Sequence, residues 1–398
     1  MTRILWFHPR QLVPPRGGGD HRTLGLIRGA LAAGHEVLLV QPDDHLGGSQ
    51  PPSELRTIDL EVRTGVGNTI AKVASRDPLR APRVTRRSLS VARREIAAFD
   101  PHISVVSEVM TWGIARRLLP QRPWIYDSQN VEHELFQGHL DAARTAVDRM
   151  TFAVDHRRVS RAERALLKHS AAVVAVSDVD ARGLRALEPT KEPVVVPSSM
   201  VAPPSPVDPV SAGPVMLFIG SLDFPPNTEA IGALLDEVGP LVLEQNPDAR
   251  LLVVGRRPTK AMRQAFAARS WVEFLEDAPS VEDAYRRARC VVMPFKSGSG
   301  TKLKLYEALA FGLPVVTTPR GILGVDVRVG EDLLVADDAR GIAEHAARVL
   351  LDDELARRLA RSARATFDDR LSWERAAYPP LSALVARLRS DVTRPSES

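Results

Sequence analysis

Residues Gly298–Thr318, GSGTKLKLYEALAFGLPVVTT, decide how the rest of the chain is read. They describe a loop of small residues, one short helix, a glycine stop and a buried strand. A further strand at Cys290–Pro294 feeds the loop. Gly298, Ser299 and Gly300 allow a sharp turn and leave backbone N–H groups uncovered. A helix expected from about Thr301 to Phe311 points its positive N-terminal end at that turn, an anion site suited to a diphosphate. Lys302, Lys304 and Lys296 add full charges nearby. Glu307 follows Thr301 at roughly 9 Å along a helix. A carboxylate there accepts hydrogen bonds from ribose hydroxyls while phosphates hold the helix start. Gly312 is the expected stop, and Pro314 bars further helix. Val315–Thr318 is β-branched throughout and reads as the next parallel strand.

The chain has 398 residues, for which two domains are the natural expectation. Hydrophobic residues make up 44%, enough for ordinary globular cores. The net charge of +4 is a mild excess that favours acidic ligands without requiring nucleic acid. Cys290 is the only cysteine, which excludes an intrachain disulfide or a cysteine metal cluster. The N-terminal MTRILWFHPRQ has too short an apolar run for a signal peptide, and no stretch reaches the apolar length of a membrane span. A soluble, cytoplasmic protein is expected, with peripheral membrane contact left open.

Ile4–Phe7 reads as a strand and Arg10–Gly19 as a loop holding Pro14, Pro15 and the triplet Gly17, Gly18, Gly19. Asp20 is expected to cap a helix to about Ala33, Gly34 to end it, and Glu36–Gln41 to form the next strand. This is how a doubly wound α/β domain begins. The loop from Phe7 to Gly17 is too long for a dinucleotide fingerprint. Leu55–Val62 reads as another strand. Ser75–Arg94 carries Arg76, Arg80, Arg83, Arg86, Arg87, Arg93 and Arg94, by default a solvated helical face. Strands follow at Ile103–Ser107 and Pro123–Asp127, one or two long helices within Asp141–His169, and a strand at Ala171–Val176. Ser177 caps a helix over Asp178–Leu187, where Asp178 and Asp180 favour the macrodipole rather than a metal. Pro193–Val196 closes a domain ending near residue 200.

Residues 201–214, rich in proline, read as a linker. A second β/α run over 215–371 starts with a strand at Val215–Gly220 and a helix at Asn227–Val238. Leu251–Val254, Val272–Phe274 and Val281–Ala288 precede Cys290–Pro294 and the opening stretch. Leu333–Val335 and helices within 340–367 follow. A loop at Asp368–Leu371 then leads to an amphipathic helix, Trp373–Arg389.

The GSGTKLK loop with YEALAFGLPVVTT after it resembles the retaining glycosyltransferases of family four, which have the two-domain GT-B fold. FIGSLDFPPN (Phe218–Asn227) resembles their first donor-side loop, with Gly220 and Asn227 as candidate donor residues. YDSQNVEHELF (Tyr126–Phe136) resembles a first-domain segment written D-x-x-N-x-E, matched by Asp127, Asn130 and Glu132. The resemblance implies two Rossmann-like domains facing a cleft, with the helix at 373–389 packing back on the first. It gives Glu307 the nucleotide ribose. Many members carry a second glutamate eight positions earlier, where this chain has Ser299; a sub-group with GSGT-type loops also lacks it. The arginine and lysine common in the first donor loop are absent, so Lys302, Lys304 and Arg256 are left to meet the diphosphate, with Ser299, Gly300 and Thr301 at the helix start. The glycine loop Gly17, Gly18 and Gly19, with Arg22 on the next helix, is implied to face the acceptor.

The expected function is transfer of a sugar, of hexosyl type, from a nucleotide-diphosphate sugar to a hydroxyl acceptor with retention of configuration. Retention of this kind needs no enzyme nucleophile, because the leaving phosphate oxygen takes the acceptor proton. Asn130 and Glu132 are the candidates should a side chain act, and His133 reads as structural. No cofactor or metal is expected, and no nucleic acid. An anionic lipid carrier or a glycan fits the acceptor side, since the arginines of 75–94 would contact phosphate or carboxylate. A sugar-nucleotide epimerase and a non-catalytic nucleotide-sugar-binding protein are the alternatives. The first acts without an acceptor, and the second never turns its ligand over.

Overall fold

The computed structural model describes residues 1–15, 17–43, 52–63, 75, 77–141, 143, 145–278, 280–298 and 302–393. The chain divides into two compact units, Met1–Ser198 with Ala376–Ser398, and Ser199–Arg375.

The first unit is built on seven strands: β1 (Arg3–Phe7), β2 (Glu36–Asp43), β3 (Arg56–Glu61), β4 (Ile103–Ser107), β5 (Trp124–Asp127), β6 (Ala172–Ala175) and β7 (Val194–Val195). Their order across the sheet is β3-β2-β1-β4-β5-β6-β7, and every neighbouring pair is parallel. Runs such as Ile4–Phe7 and Val37–Val40 are buried throughout, as a sheet covered by helices on both faces requires. The second unit repeats the plan with six parallel strands: β8 (Val215–Ser221), β9 (Arg250–Arg256), β10 (Val272–Glu276), β11 (Cys290–Met293), β12 (Val315–Thr317) and β13 (Leu334–Val335), ordered β10-β9-β8-β11-β12-β13. Each unit has its own hydrophobic core. In each sheet the strand order reverses beside the first strand, between β1 and β4 and between β8 and β11. Open α/β sheets bind ligands at the carboxyl ends of strands at such a reversal.

Several local expectations change. Asp20 does not cap the first helix: Gly18–Ala32 starts after Gly17, and Asp20 is buried in its first turn, bonded to His8 and Arg10. Asn227 does not begin its helix, which starts at Pro225. Pro225 and Pro226 suit the first turn because their φ is already helical and no N–H is needed there. The loop expected at 368–371 is wound, Phe367–Leu371 continuing the helix Asp353–Thr366 with a wider turn. The helix expected from Thr301 is described as Leu303–Phe311 and ends at Gly312 in the left-handed conformation (φ 69°). Thr301, Ser299 and Gly300 lie outside the described residues, as does Arg76.

The helix Tyr378–Thr393 belongs to the first compact unit. Tyr378 donates its hydroxyl to the Gly25 carbonyl (3.2 Å), and Arg389 reaches the Met1 carbonyl (2.6 Å). No helix among the described residues is long and apolar enough to cross a membrane.

Candidate functional site

In the second unit, β8 and β11 deliver the two loops that flank the strand reversal. Gly220 lies near the end of β8, and a β-carbon there would fall 2.7 Å from Asn227 Nδ2 and 2.8 Å from Lys304 Nζ. Only glycine lets these side chains lie against the strand. Asn227 donates Nδ2 to the Ser221 carbonyl (2.7 Å) and accepts from Lys304 Nζ at Oδ1 (2.7 Å). Lys304 thus reaches from the helix after β11 to the loop after β8. Its ammonium stands 4.7 Å from the Phe218 ring centre and 5.0 Å from that of Phe295. Burial, only partly opposed by Glu307 and reinforced by Lys302, lowers the Lys304 pKa to about 7.

Glu307 lies one turn further along the same helix. Its carboxylate accepts from the Tyr285 hydroxyl (2.8 Å), and Tyr285 is fully buried and stacked on Phe311 with ring centres 4.4 Å apart. Burial raises the Glu307 pKa against the pull of Tyr285 and Lys304. The helix therefore presents an amine and a carboxylate side by side, each on a fixed partner.

Lys302 lies 5.9 Å from the Phe295 ring centre, whereas Lys296 pairs with Glu237 at 3.1 Å, both side chains exposed. Arg256 ends β9 and is exposed. Its neighbour Arg257, not singled out in the sequence, has φ 57° and binds the loop after β8, at Asp223 (3.0 Å) and Ser221 Oγ (3.0 Å). That loop carries no cation of its own and receives one from the next strand's end. Tyr285, Phe218 and Phe295 were also not picked out. Their signal in the sequence, an aromatic in a strand, just after one or in a short helix, is that of any core residue.

In the first unit a polar cluster lies at the reversal between β1 and β4. Arg10 donates to Asp20 Oδ1 (2.6 Å) and holds both Glu108 oxygens (2.6 and 3.1 Å), while His8 Nε2 lies 3.0 Å from Asp20 Oδ1. Burial opposes the charge on Arg10, but Glu108 and Asp20 outweigh it and raise its pKa. Glu108 has φ 62°, an uncommon conformation for a non-glycine residue. His8, Asp20 and Glu108 bring ligand-type atoms within 4.8 Å of one another, but Arg10 already supplies a cation to both carboxylates. Gly19 belongs to this cluster, since a β-carbon there would lie 2.2 Å from Gln129 Oε1 and 2.7 Å from Glu108 Oε1. At Gly17 the same atom would meet nothing within 4 Å. Gly18 opens the helix.

Arg22 is 1% exposed. It donates to Asp127 Oδ1 (2.7 and 3.1 Å) and to the Val196 carbonyl (2.7 Å), tying the ends of β5 and β7 to the first helix. Asp127 also accepts from Ser107 (3.1 Å), so it compensates the buried charge of Arg22. Asn130 donates weakly to Glu132 (3.3 Å). Burial, then Glu108 and Glu163, push Glu132 up to about 8. Glu163, fully buried, accepts from the backbone N–H groups of Glu132 and His133 (both 2.9 Å) and sits 2.8 Å from His133 Nδ1, which gives that histidine a structural partner.

The arginine-rich stretch divides. Arg86, Arg87, Arg93 and Arg94 are exposed on the helix Arg86–Phe99, together with Val91, while Val84 and Leu89 are buried. Arg83 is partly buried. Burial, with Arg117, Arg158 and Arg63 prevailing over Asp77, lowers its pKa.

Residues 213–352 match the family model of glycosyl transferases group 1, and residues 17–198 match that of the glycosyl transferase 4-like domain. A 137-residue segment is 31% identical to an uncharacterized 44.6 kDa protein in the cps region of Klebsiella pneumoniae, covering 33% of this chain and 35% of that protein, so the chain spans about a third of that relative's length. The fold is similar to sucrose-phosphate synthase from Thermosynechococcus elongatus (TM-score 0.73, 18% identity, 98% of this chain and 100% of that chain). It is also similar to WaaG, a glycosyltransferase involved in lipopolysaccharide biosynthesis (0.66, 16%, 98% and 100%), and to HepE of Anabaena in complex with UDP-glucose (0.65, 12%, 98% and 100%). With one family model on each unit and two doubly wound parallel sheets beneath them, the second unit belongs to the glycosyl transferases group 1 family and the first to the glycosyl transferase 4-like domain, and the chain has the GT-B fold.

Proposed function

We propose that the protein transfers a hexosyl group from a nucleoside diphosphate sugar to a hydroxyl acceptor with retention of configuration. The observation that carries this reading is the pairing of Lys304 and Glu307 on one helix at the β8/β11 reversal, with Gly220 opening the strand beside them. In this reading Glu307 accepts from the ribose hydroxyls, held in place by Tyr285. Lys304, Lys302 and Arg256 meet the diphosphate, and Asn227 orients Lys304. Preorganised charge at the departing phosphate lowers the barrier without an enzyme nucleophile. That HepE has been captured with UDP-glucose supports a donor of this class.

The first unit supplies the acceptor side. Gly19 lets the loop approach Gln129 and Glu108, while Asn130 and Glu132 order acceptor hydroxyls. Arg22 holds Asp127 and the strand ends beneath them. The exposed arginines of the helix Arg86–Phe99, with Arg83, support an anionic acceptor such as a glycan or the diphosphate of a lipid carrier.

The test is turnover of nucleoside diphosphate sugars with hydroxyl acceptors, reading released nucleotide and the anomeric configuration of the product by NMR. Retained configuration, and a rate unchanged by excess chelator, are expected. Glu307→Gln should weaken donor binding by about 1.5–3 kcal/mol, the range for a hydrogen bond to a charged group. Inverted product, conversion of donor with no acceptor present, or undiminished donor affinity in the folded variant would overturn the assignment.

A further inference from the structure

We propose that Lys304 is a proton-linked anchor for the donor diphosphate: the ligand binds at this amine with uptake of a proton from solvent. The inference rests on the donor reading above and adds to it a charge state and a pH dependence.

Lys304 is partly buried between the rings of Phe218 and Phe295, with a neutral amide, Asn227 Oδ1, as its hydrogen-bond acceptor. Ring faces attract an ammonium, but they replace water poorly as a solvent for it. The charges acting on it are Glu307 and Lys302. Glu307 is itself held toward its neutral form by burial, and Lys302 is repulsive. On the surrounding loops Asp223 pairs with Arg257, Lys296 with Glu237 and Glu229 with Ser297, and Arg256 is a further exposed cation at the end of β9. The amine therefore lies at the ligand-binding end of the sheet, where burial, only partly opposed by Glu307, lowers its pKa to about 7. A diphosphate supplies negative charge there. In this proposal the free site holds a share of its amine as –NH2 near neutral pH, and the complex holds –NH3⁺ against phosphate oxygen. The balance is one amine, one proton from buffer and one anion.

Above the pKa of the free site, binding must take up a proton, so affinity falls as pH rises, by about tenfold per unit once the amine is neutral. Proton uptake should therefore rise with pH and approach one once the amine of the free site is neutral. A nucleotide sugar is the right probe, because both its phosphates are diesters and neither titrates in this range.

The experiment is isothermal titration with UDP-glucose, and with GDP-mannose in parallel, at pH 6, 7, 8 and 9. HEPES and Tris, whose ionisation enthalpies differ, are compared at pH 8. Wild-type protein should give a buffer-dependent enthalpy that reports close to one proton taken up. Lys304→Met should weaken binding at pH 6 and abolish the uptake, and Lys304→Arg should bind with little pH dependence, since arginine does not titrate here. Glu307→Gln separates the other titrating neighbour, and uptake should survive it. Binding without buffer dependence, or uptake that persists in Lys304→Arg and disappears in Glu307→Gln, overturns the role of Lys304 and leaves the donor reading standing. Failure of both sugars to bind at every pH overturns the donor reading, and this inference with it.

Discussion

Glu132 shows how a residue visible in the sequence takes its properties from groups far from it along the chain. The D-x-x-N-x-E spacing singles it out, yet Glu108 and Glu163, with burial, set its protonation. Its pKa of about 8 lies above the ordinary 4.5. The unfolded chain binds fewer protons here than the native one, so this contribution to stability is fully present below about pH 4.5 and is lost as pH rises through about 8. Glu132→Gln should therefore melt close to wild type at pH 5 and above it at pH 8.5. An equal difference at both pH values in thermal unfolding would refute that environment. Arg22 carries a similar lesson. Its place after the glycine loop was plain, but its partners Asp127 and Val196 come from strands more than a hundred residues away.

Local signals set the elements where the chain's own backbone supplies the reason. Ser177 accepts from the Asp180 N–H (3.2 Å) and starts its helix at the expected residue. Gly312 ends the helix Leu303–Phe311 as expected, because a left-handed residue satisfies the last carbonyls without a side-chain clash. Gly312→Ala should cost about 1–2 kcal/mol for the left-handed conformation, and its β-carbon would also press on Pro206 at 3.0 Å. Gly138→Ala is the contrasting case. It lies in the helix Glu132–Asp141 with nothing within 4 Å of the added carbon, so a gain of roughly 0.5–1 kcal/mol is expected. Denaturant unfolding of the pair reads both signs, and a loss at Gly138 or none at Gly312 would contradict these assignments.

For the whole molecule, the first unit is discontinuous in sequence. Leu381, Leu384, Val385 and Leu388 of the terminal helix are buried, and Tyr378 packs so closely on the first helix that a β-carbon at Gly29 would lie 2.2 Å from its ring. Each fully buried aliphatic side chain contributes about 1.5–3 kcal/mol, so four of them rival the roughly 5–15 kcal/mol that a domain has in total. A chain ending at Arg375 should lose cooperative melting and protease resistance in its first unit while the second unit still melts. Unchanged melting of the first unit after the truncation would show that the helix contributes nothing to it.

What the sequence determined by itself is whatever depends on neighbours along the chain. The β-branched runs make buried parallel strands and the glycines end helices, whereas residues 201–214, read as a linker, belong to the second unit, with Val207 buried in its core. The motif around Glu307 marks the family. Asn227 is the counter-example: it was read as a helix start, and Pro225 and Pro226 had already taken that role. Only the tertiary structure decided what depends on groups distant in sequence and close in space. It put Lys304 against Asn227 and two phenyl rings, Tyr285 on Glu307, and Arg10 between Asp20 and Glu108. Charge and hydrogen bonding act across a few ångströms regardless of chain distance, and desolvation depends on everything packed around a group. A residue's type can be read from the sequence, but its protonation and its partner are properties of the fold.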